Sequence, residues 1–453
     1  MNWKGLAGAA AMAVLACGSV ALASDGDQSL AGSQMVSPVL MDEAATAPAT
    51  APATAPASAP SETTLTPIMF LLDPTPVGQW LEANKFSVTG FVEGGYFYDT
   101  DNPRLGSGPN GDSPTFVPFA GPFSNRVLLD QVDLTLSKSI DSTKKWDWGF
   151  LFENGYGTDD SYTHSFGMLD NRIAVAPAEG HPQNQYDILQ ANLALLVPVG
   201  NGLTLTAGKF VALLGQETIN PTGNSFYTHS YEFFYGIPFT NTGVMASYTF
   251  PKLLNGNDWT FEGGITNGWN NSLRDNNDAI DFLAEAKGNI TSSLAIVTNF
   301  EEGPEETGDN SDYRTTIEAI PTWTVSDQLT VVGDFLYSDD PHVPSSASGG
   351  PAQWYAVVAY AGYKINSMFT VNLRAEWYRD QGGETTGAQA NYYEGTLGVQ
   401  IHPLPNDNIF QYLQIRPEIR VDDSDRRVYD ANGAGGNGEY NELTAAVDVI
   451  MQF

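Results

Sequence analysis

The sequence predicts an all-β fold: a closed antiparallel transmembrane β-barrel of about sixteen strands, with short periplasmic turns at one end and long extracellular loops at the other. Three observations predict it. Apolar and polar residues alternate over segments of the ~9–11 residues a strand needs to cross a bilayer. Short and long connections follow one another along the chain, the loop arrangement of a membrane barrel. The chain closes on an alternating segment that ends in an aromatic residue. There Leu443, Ala445, Val447, Val449, Met451 and Phe453 share one face, and Glu442, Thr444, Ala446, Asp448, Ile450 and Gln452 the other. A period of two is a strand with one apolar face.

The N-terminus reads as an export signal over residues 1–23. Lys4 is basic, Leu6 to Val14 is small and apolar, and Ala21-Leu22-Ala23 is a small-x-small cleavage site. Lipidation at Cys17, after Val14-Leu15-Ala16, stays open as the alternative, although Leu15 fits that pattern poorly. Cleavage after Ala23 removes the one cysteine, and with it any disulfide or thiolate metal site. Residues 24–75 are expected to be a disordered periplasmic segment. Its centre, Thr46 to Pro60, repeats Thr, Ala and Pro and cannot bury a core. Residues 76–85 read as a short helix or lead-in, with Thr75 as cap and Pro76 in the first turn.

The barrel is expected over 86–453. Strand candidates are 86–98, 126–139, 146–156, 186–198, 203–211, 241–250, 258–269, 279–289, 293–301, 312–324, 328–338, 353–365, 369–379, 391–402, 411–422 and 440–453. Short turns fall at 139–145, 200–202, 251–257, 290–292, 326–327, 366–367 and 403–409, and polar Gly/Pro/Asn/Asp-rich loops fill the alternate gaps. Two strands show the pattern best. Phe369, Val371, Leu373, Ala375 and Trp377 oppose Thr370, Asn372, Arg374, Glu376 and Tyr378; Leu413, Ile415, Pro417, Ile419 and Val421 oppose Tyr412, Gln414, Arg416, Glu418 and Arg420. The apolar face is assigned to lipid and the polar face to a water-filled lumen, so Asn372→Arg should cost little. Tyr96, Trp146, Trp148, Trp259, Trp269, Trp323, Tyr337, Trp354, Tyr363 and Trp377 at strand ends are expected to form interfacial girdles.

Composition agrees. Hydrophobic content is 42% and mean hydropathy is −0.21, as expected when half of each strand faces water. A net charge of −33, from 53 acids and 20 bases, excludes nucleic acid as a partner.

The block Asp187-Ile-Leu-Gln-Ala191, Leu203-Thr-Leu-Thr-Ala-Gly-Lys-Phe210, Leu214-Gly-Gln-Glu217, Asn224-Ser-Phe-Tyr-Thr-His-Ser230 and Ile237-Pro-Phe-Thr-Asn-Thr-Gly243 resembles the bacterial OmpL-like β-barrel outer-membrane porins. Val88-Thr-Gly-Phe-Val-Glu93 and Leu129-Asp-Gln-Val-Asp-Leu134 resemble that family's first strands. The resemblance spans about 76–453. It implies export through the periplasm to the outer membrane of a Gram-negative-type bacterium, surrounding outer-membrane lipid, and a channel role. The terminal strand ending at Phe453 implies recognition by the barrel-assembly machinery. A homo-oligomer is left open.

In porins of this architecture the third long loop folds inward and narrows the pore. Here that loop is 212–240, and Glu217, Asn220, Asn224, Tyr227, His229, Tyr231 and Glu232 are its constriction candidates. The alternation places Glu93, Asp133, Glu153, Glu262, Glu285, Lys287, Arg314, Glu318, Arg374, Glu376, Glu394, Arg416, Glu418, Arg420 and Asp448 in the lumen. Acids outnumber bases, so the expected function is passive diffusion of small hydrophilic solutes with a cation preference. A tethering or adhesion role is one alternative, and an outer-membrane hydrolase another. Tyr-Thr-His-Ser occurs twice, ending at Ser165 and Ser230, but no Gly-x-Ser-x-Gly elbow is present, so no enzyme and no catalytic residue is expected. The five His are scattered and no His-Glu-x-x-His occurs, so no cofactor or metal site is expected.

Overall fold

A computed structural model describes residues 66–100, 125–169, 184–341, 343, 350–429 and 438–453. The expected signal peptide, Cys17 and the Thr/Ala/Pro tract lie outside these residues. The last part of the segment expected to be disordered holds a helix, α1 (Pro67–Leu72), followed by α2 (Pro76–Ala83). Thr75 Oγ1 accepts from the Gly78 amide at 3.0 Å at the start of α2. The two helices meet where Gly78 leaves no room for a side chain against the Leu72 carbonyl.

Sixteen strands follow: β1 (Phe86–Asp99), β2 (Arg126–Lys138), β3 (Asp147–Gly157), β4 (Gln185–Val197), β5 (Leu203–Val211), β6 (Thr240–Leu254), β7 (Asn257–Thr266), β8 (Asp281–Asn289), β9 (Leu294–Pro304), β10 (Tyr313–Thr324), β11 (Leu329–Asp340), β12 (Ala352–Lys364), β13 (Phe369–Asp380), β14 (Ala390–Ile401), β15 (Leu413–Ser424) and β16 (Asn441–Gln452). Each pairs antiparallel with its sequence neighbours, and β1 pairs with β16, so the sheet closes as a barrel. Closure removes every edge strand, which is what lets a sheet cross lipid without unpaired amides. The last residue takes part: Phe453 N donates to Gly90 O at 2.8 Å and Gly90 N donates back at 2.9 Å. The Phe453 ring lies over Gly90, where a Cβ would come within 2.7 Å of it.

One turn is tighter than the sequence suggested. The gap expected over 251–257 is mostly strand, and β6 and β7 are joined by Asn255-Gly256 alone. Their φ values of 53° and 78° are those of a two-residue hairpin turn that matches strand twist, which Asn-Gly adopts at little cost.

On the outside, Val127, Leu193, Val244, Phe282, Ile317, Phe335, Leu397, Ile419, Val447 and Val449 are exposed apolar residues, as in the outward apolar band of a membrane barrel. Tyr96, Trp146, Trp148, Tyr337, Tyr363 and Trp377 are exposed with them. Two expected girdle residues are elsewhere. Trp354 is 0% exposed and donates from Nε1 to the Gly236 carbonyl at 3.0 Å, and Trp269 packs edge-on against it. Both are inside because the interior holds an apolar core. Leu214, Ile219, Phe226, Tyr231, Phe233 and Ile237, from the segment between β5 and β6, pack against Ile320, Val332, Leu336, Ala356, Val358 and Tyr378 on the inner wall. That segment therefore folds into the barrel. Asn372 lies beneath it, with Nδ2 directed at the Ser225 carbonyl at 3.4 Å. The expectation that Asn372→Arg is tolerated does not survive this contact, since the position is buried rather than solvated.

Candidate functional site: the inward loop and the charged wall

The loop leaves β5 at Val211 and rejoins the wall at Thr240. Gly215, at φ +102°, makes a bend that a side chain would strain. Pro221 opens a short 3-10 turn, capped by Asn220, whose Oδ1 accepts from Thr222 N at 3.0 Å. Glu232–Gly236 forms a single π-helical turn. Such irregular backbone leaves amides and carbonyls without regular partners, and inside a barrel they must be satisfied.

The charged wall satisfies them. Glu318 accepts from Gly215 N at 2.9 Å, and Asp334 from Gln216 N at 3.1 Å. Glu418 accepts from Tyr227 N at 2.8 Å and from Thr228 N at 3.2 Å. Glu376 accepts from Tyr231 N at 2.7 Å and Glu232 N at 2.8 Å. Three arginines bind loop carbonyls: Arg374 that of Thr228 at 2.7 Å, Arg416 those of Pro221 and Asn224 at 2.8 Å, and Arg420 that of His229 at 2.5 Å. The arginines are balanced by carboxylates. Arg374 meets Glu217 at 2.6 Å and Glu394 at 3.2 Å, Arg416 meets Glu93 at 3.0 Å and Asp448 at 2.5 Å, and Arg420 meets Asp422 at 2.8 Å.

The seven loop candidates are placed as follows. Glu217, Asn224, Tyr227, His229, Tyr231 and Glu232 are buried against the wall, and Asn220 is half-buried. Asn224 bridges the loop to itself through Thr218, at 2.7 and 3.1 Å. Tyr227 reaches across to β1 and β2; its ring lies over Gly95 and its hydroxyl donates to Asp130 at 3.1 Å. Tyr231 donates to Asp422 at 2.6 Å and meets the Tyr429 hydroxyl at 2.9 Å. Both tyrosines are thus turned toward protein. His229 Nδ1 lies 3.2 Å from Glu217, and its ring stacks on Phe233. Ser230 donates to Glu217 at 3.2 Å rather than to His229, so no nucleophile–base pair forms here.

Burial and partners set the protonation of the loop groups. Burial raises the Glu217 carboxyl, but Arg374 and His229 outweigh it and hold it far below the usual range. Burial pushes His229 down, toward the neutral imidazole. Glu232 has the opposite fate: burial first, then the charges of Asp334 and Glu318, hold it well above the ordinary carboxylate value.

The remaining wall charges line the interior away from the arginine cluster. Lys287 sits between Glu262 and Glu285, at 2.9 Å from each, and Arg314 meets Asp340 at 2.9 Å. Asp133 accepts from Thr135 at 2.9 Å and Glu153 accepts from Gln190. Strict alternation misses several interior groups. Asp130 and Gln131 both point inward, at 1% and 0% exposure, because the register of β1 against β2 shifts between Glu93 and Gly94. A bulge lets two neighbours face one side. A second shift, between Glu153 and Asn154, accompanies Leu189 and Gln190, both buried. Two adjacent polar residues inside a strand, Asp130-Gln131, were the available signal. Asp159 and Asp160 follow β3 in a 3-10 turn and are also buried. Burial, then the charge of Asp187, pushes the Asp160 carboxyl up to about 8.

Among solved structures, the chain is similar to an anion-selective porin from Comamonas acidovorans, with TM-score 0.52 and 13% identity over 81% of this chain and 99% of that one. It is also similar to the outer-membrane channel DcaP of Acinetobacter baumannii (TM-score 0.49, 11% identity, 81% and 97% covered). A loop-deleted OmpT, an outer membrane protein of Vibrio cholerae, gives TM-score 0.47 at 10% identity, with 81% and 99% covered. At 13% identity the likeness to the Comamonas porin is one of fold. No curated protein sequence matches the chain. The family model described as "Putative beta-barrel porin-2, OmpL-like" matches residues 85–453, the whole barrel, and the chain belongs to that family of outer-membrane porins.

Proposed function

We propose that this barrel passes small hydrophilic solutes across the outer membrane by passive diffusion, with a preference for cations, and that the 212–240 loop sets its conductance. The observation that carries the reading is the loop itself, drawn across the interior of a closed sixteen-strand barrel by amide–carboxylate and carbonyl–arginine contacts. Sixteen strands enclose more space than wall side chains fill. A loop fixed at many points narrows that space without closing it by chance motion. Charge supports the cation preference. Arg374, Arg416 and Arg420 are each neutralised by buried carboxylates, whereas on β8 the one charge of Lys287 is flanked by two acids, Glu262 and Glu285. Low-dielectric walls concentrate that field.

No chemistry is assigned to the site. Ser230 and His229 serve the loop's own packing. The experiment is a planar-bilayer recording of purified protein in a salt gradient. Discrete ion-conducting steps with a zero-current potential of cationic sign, growing as ionic strength falls, are expected. An anionic sign overturns the preference, and the absence of conductance overturns the channel.

A further inference from the structure

Three carboxylates meet where the π-helical turn touches the wall. Glu318 on β10 faces Leu336 on β11, two residues from Asp334, so the two acids are diagonal neighbours on the inner face. Glu232, first residue of the π-helical turn, comes down from the loop. One oxygen of each lies within 4.8 Å of the other two. Exposure is 0% for Glu232, 1% for Glu318 and 0% for Asp334.

The donors around them are too few. Gly215 N reaches both oxygens of Glu318, Asn299 Nδ2 reaches one of them at 2.6 Å, and Gln216 N reaches one oxygen of Asp334. No N–H group reaches either oxygen of Glu232 or Oδ1 of Asp334, whose close polar neighbours are the other acids of the cluster. Among the described residues no Lys or Arg forms an ion pair with any of the three; the nearby Arg374 is taken by Glu217 and Glu394. The next carboxylate, Glu376, is occupied by the Tyr231 and Glu232 amides. Buried carboxylates without donors ionise only when something positive joins them, and otherwise hold their protons.

The donor set consists of oxygens only. That excludes soft metals and suits a hard divalent cation. Mg²⁺ demands a near-regular octahedron and keeps its waters, whereas Ca²⁺ accepts an irregular shell of carboxylate oxygens at ~2.3–2.6 Å. A dry pocket fed by one loop and two strands fits the second.

We propose that Glu232, Glu318 and Asp334 form a calcium site that ties the inward loop to the β10–β11 wall. The cation would take up these three oxygens and cancel the mutual repulsion of the acids. The loop would then be latched at its π-helical turn by a bond that external calcium controls. No motif spacing reveals this site, because its ligands lie on a loop and two strands and meet only in the fold. The site does not depend on conduction, so its failure and that of the channel reading are separable.

The test uses full-length protein in detergent, stripped with chelator and then titrated with Ca²⁺ or Mg²⁺, read by thermal unfolding and by calorimetry. A cation bound to the folded state alone raises the unfolding midpoint by mass action. The expected result is a Ca²⁺-dependent rise of several degrees that Mg²⁺ at the same concentration does not give. Glu232→Gln with Asp334→Asn should abolish the rise and leave the stripped protein at least as stable as the stripped wild type, because repulsion is relieved. Glu232→Gln alone serves if the double variant does not fold. The proposal is overturned by the absence of any rise, by an equal rise with Mg²⁺, or by the same rise in the variant, which would place the cation elsewhere.

Discussion

Arg374, itself 0% exposed, holds the Thr228 carbonyl, Glu217 and Glu394 together. Removing one partner of such a buried set costs ~3–5 kcal/mol, because carboxylates are left uncompensated. Arg374→Met should therefore lower the unfolding midpoint strongly, and Glu217→Gln added to it should restore part of the loss, as a double-mutant cycle would show. An unchanged midpoint in Arg374→Met would mean that the arginine does not hold the loop. Asp160 gives a pH test of opposite character. Its carboxyl is raised from 3.8 to about 8, so the stability it supports is complete below pH 3.8 and is lost as pH rises through 8. Asp160→Asn does not ionise. Its midpoint relative to wild type should climb across that window and level off above it; a flat difference from acid to alkali would contradict the burial argument. At this scale the sequence was readable as to side and not as to role. Alternation identifies Arg416 and Glu418 as one face of β15, but their partners Asn224 and Tyr227 lie 192 and 191 residues away, and no local pattern encodes such a meeting.

Strands were legible as elements because each is an alternating segment bounded by polar turns, and the period of two survives without any knowledge of neighbours. β16 shows this best: its even-numbered residues from Glu442 to Ile450 are buried and the odd-numbered ones from Asn441 to Val449 exposed. What the period cannot show is a register shift, so Asp130 was missed, or what covers an inner face, so Trp354 was assigned to a girdle. Two adjacent positions on β13 separate the faces experimentally. Leu373→Arg puts a charge toward lipid and should cost ~2–4 kcal/mol near the bilayer midplane, while single-channel conductance stays unchanged. Asn372→Arg pushes against Ser225 under the loop, and should change conductance as well as stability. Identical behaviour of the two variants would remove the distinction between a lipid face and a loop-covered face.

For the whole molecule, closure through β1 and β16 makes a barrel, and the loop between β5 and β6 packs into its interior. The sixteen strands supply position and an inward-facing set of charges; residues 212–240 supply the apolar side chains that convert one part of the lumen into a packed core. The barrel was legible from periodicity and the inward loop from the resemblance, while the contacts that seat the loop are tertiary and only the folded chain brings them together. Under the proposed function this loop limits the flow. The most direct test compares single-channel conductance of the wild type with that of a variant in which residues 216–235 are removed. Discrete wild-type openings and a several-fold larger conductance in the variant are expected. Equal conductance in the two proteins, or a wild type that conducts no ions, would contradict the proposed function.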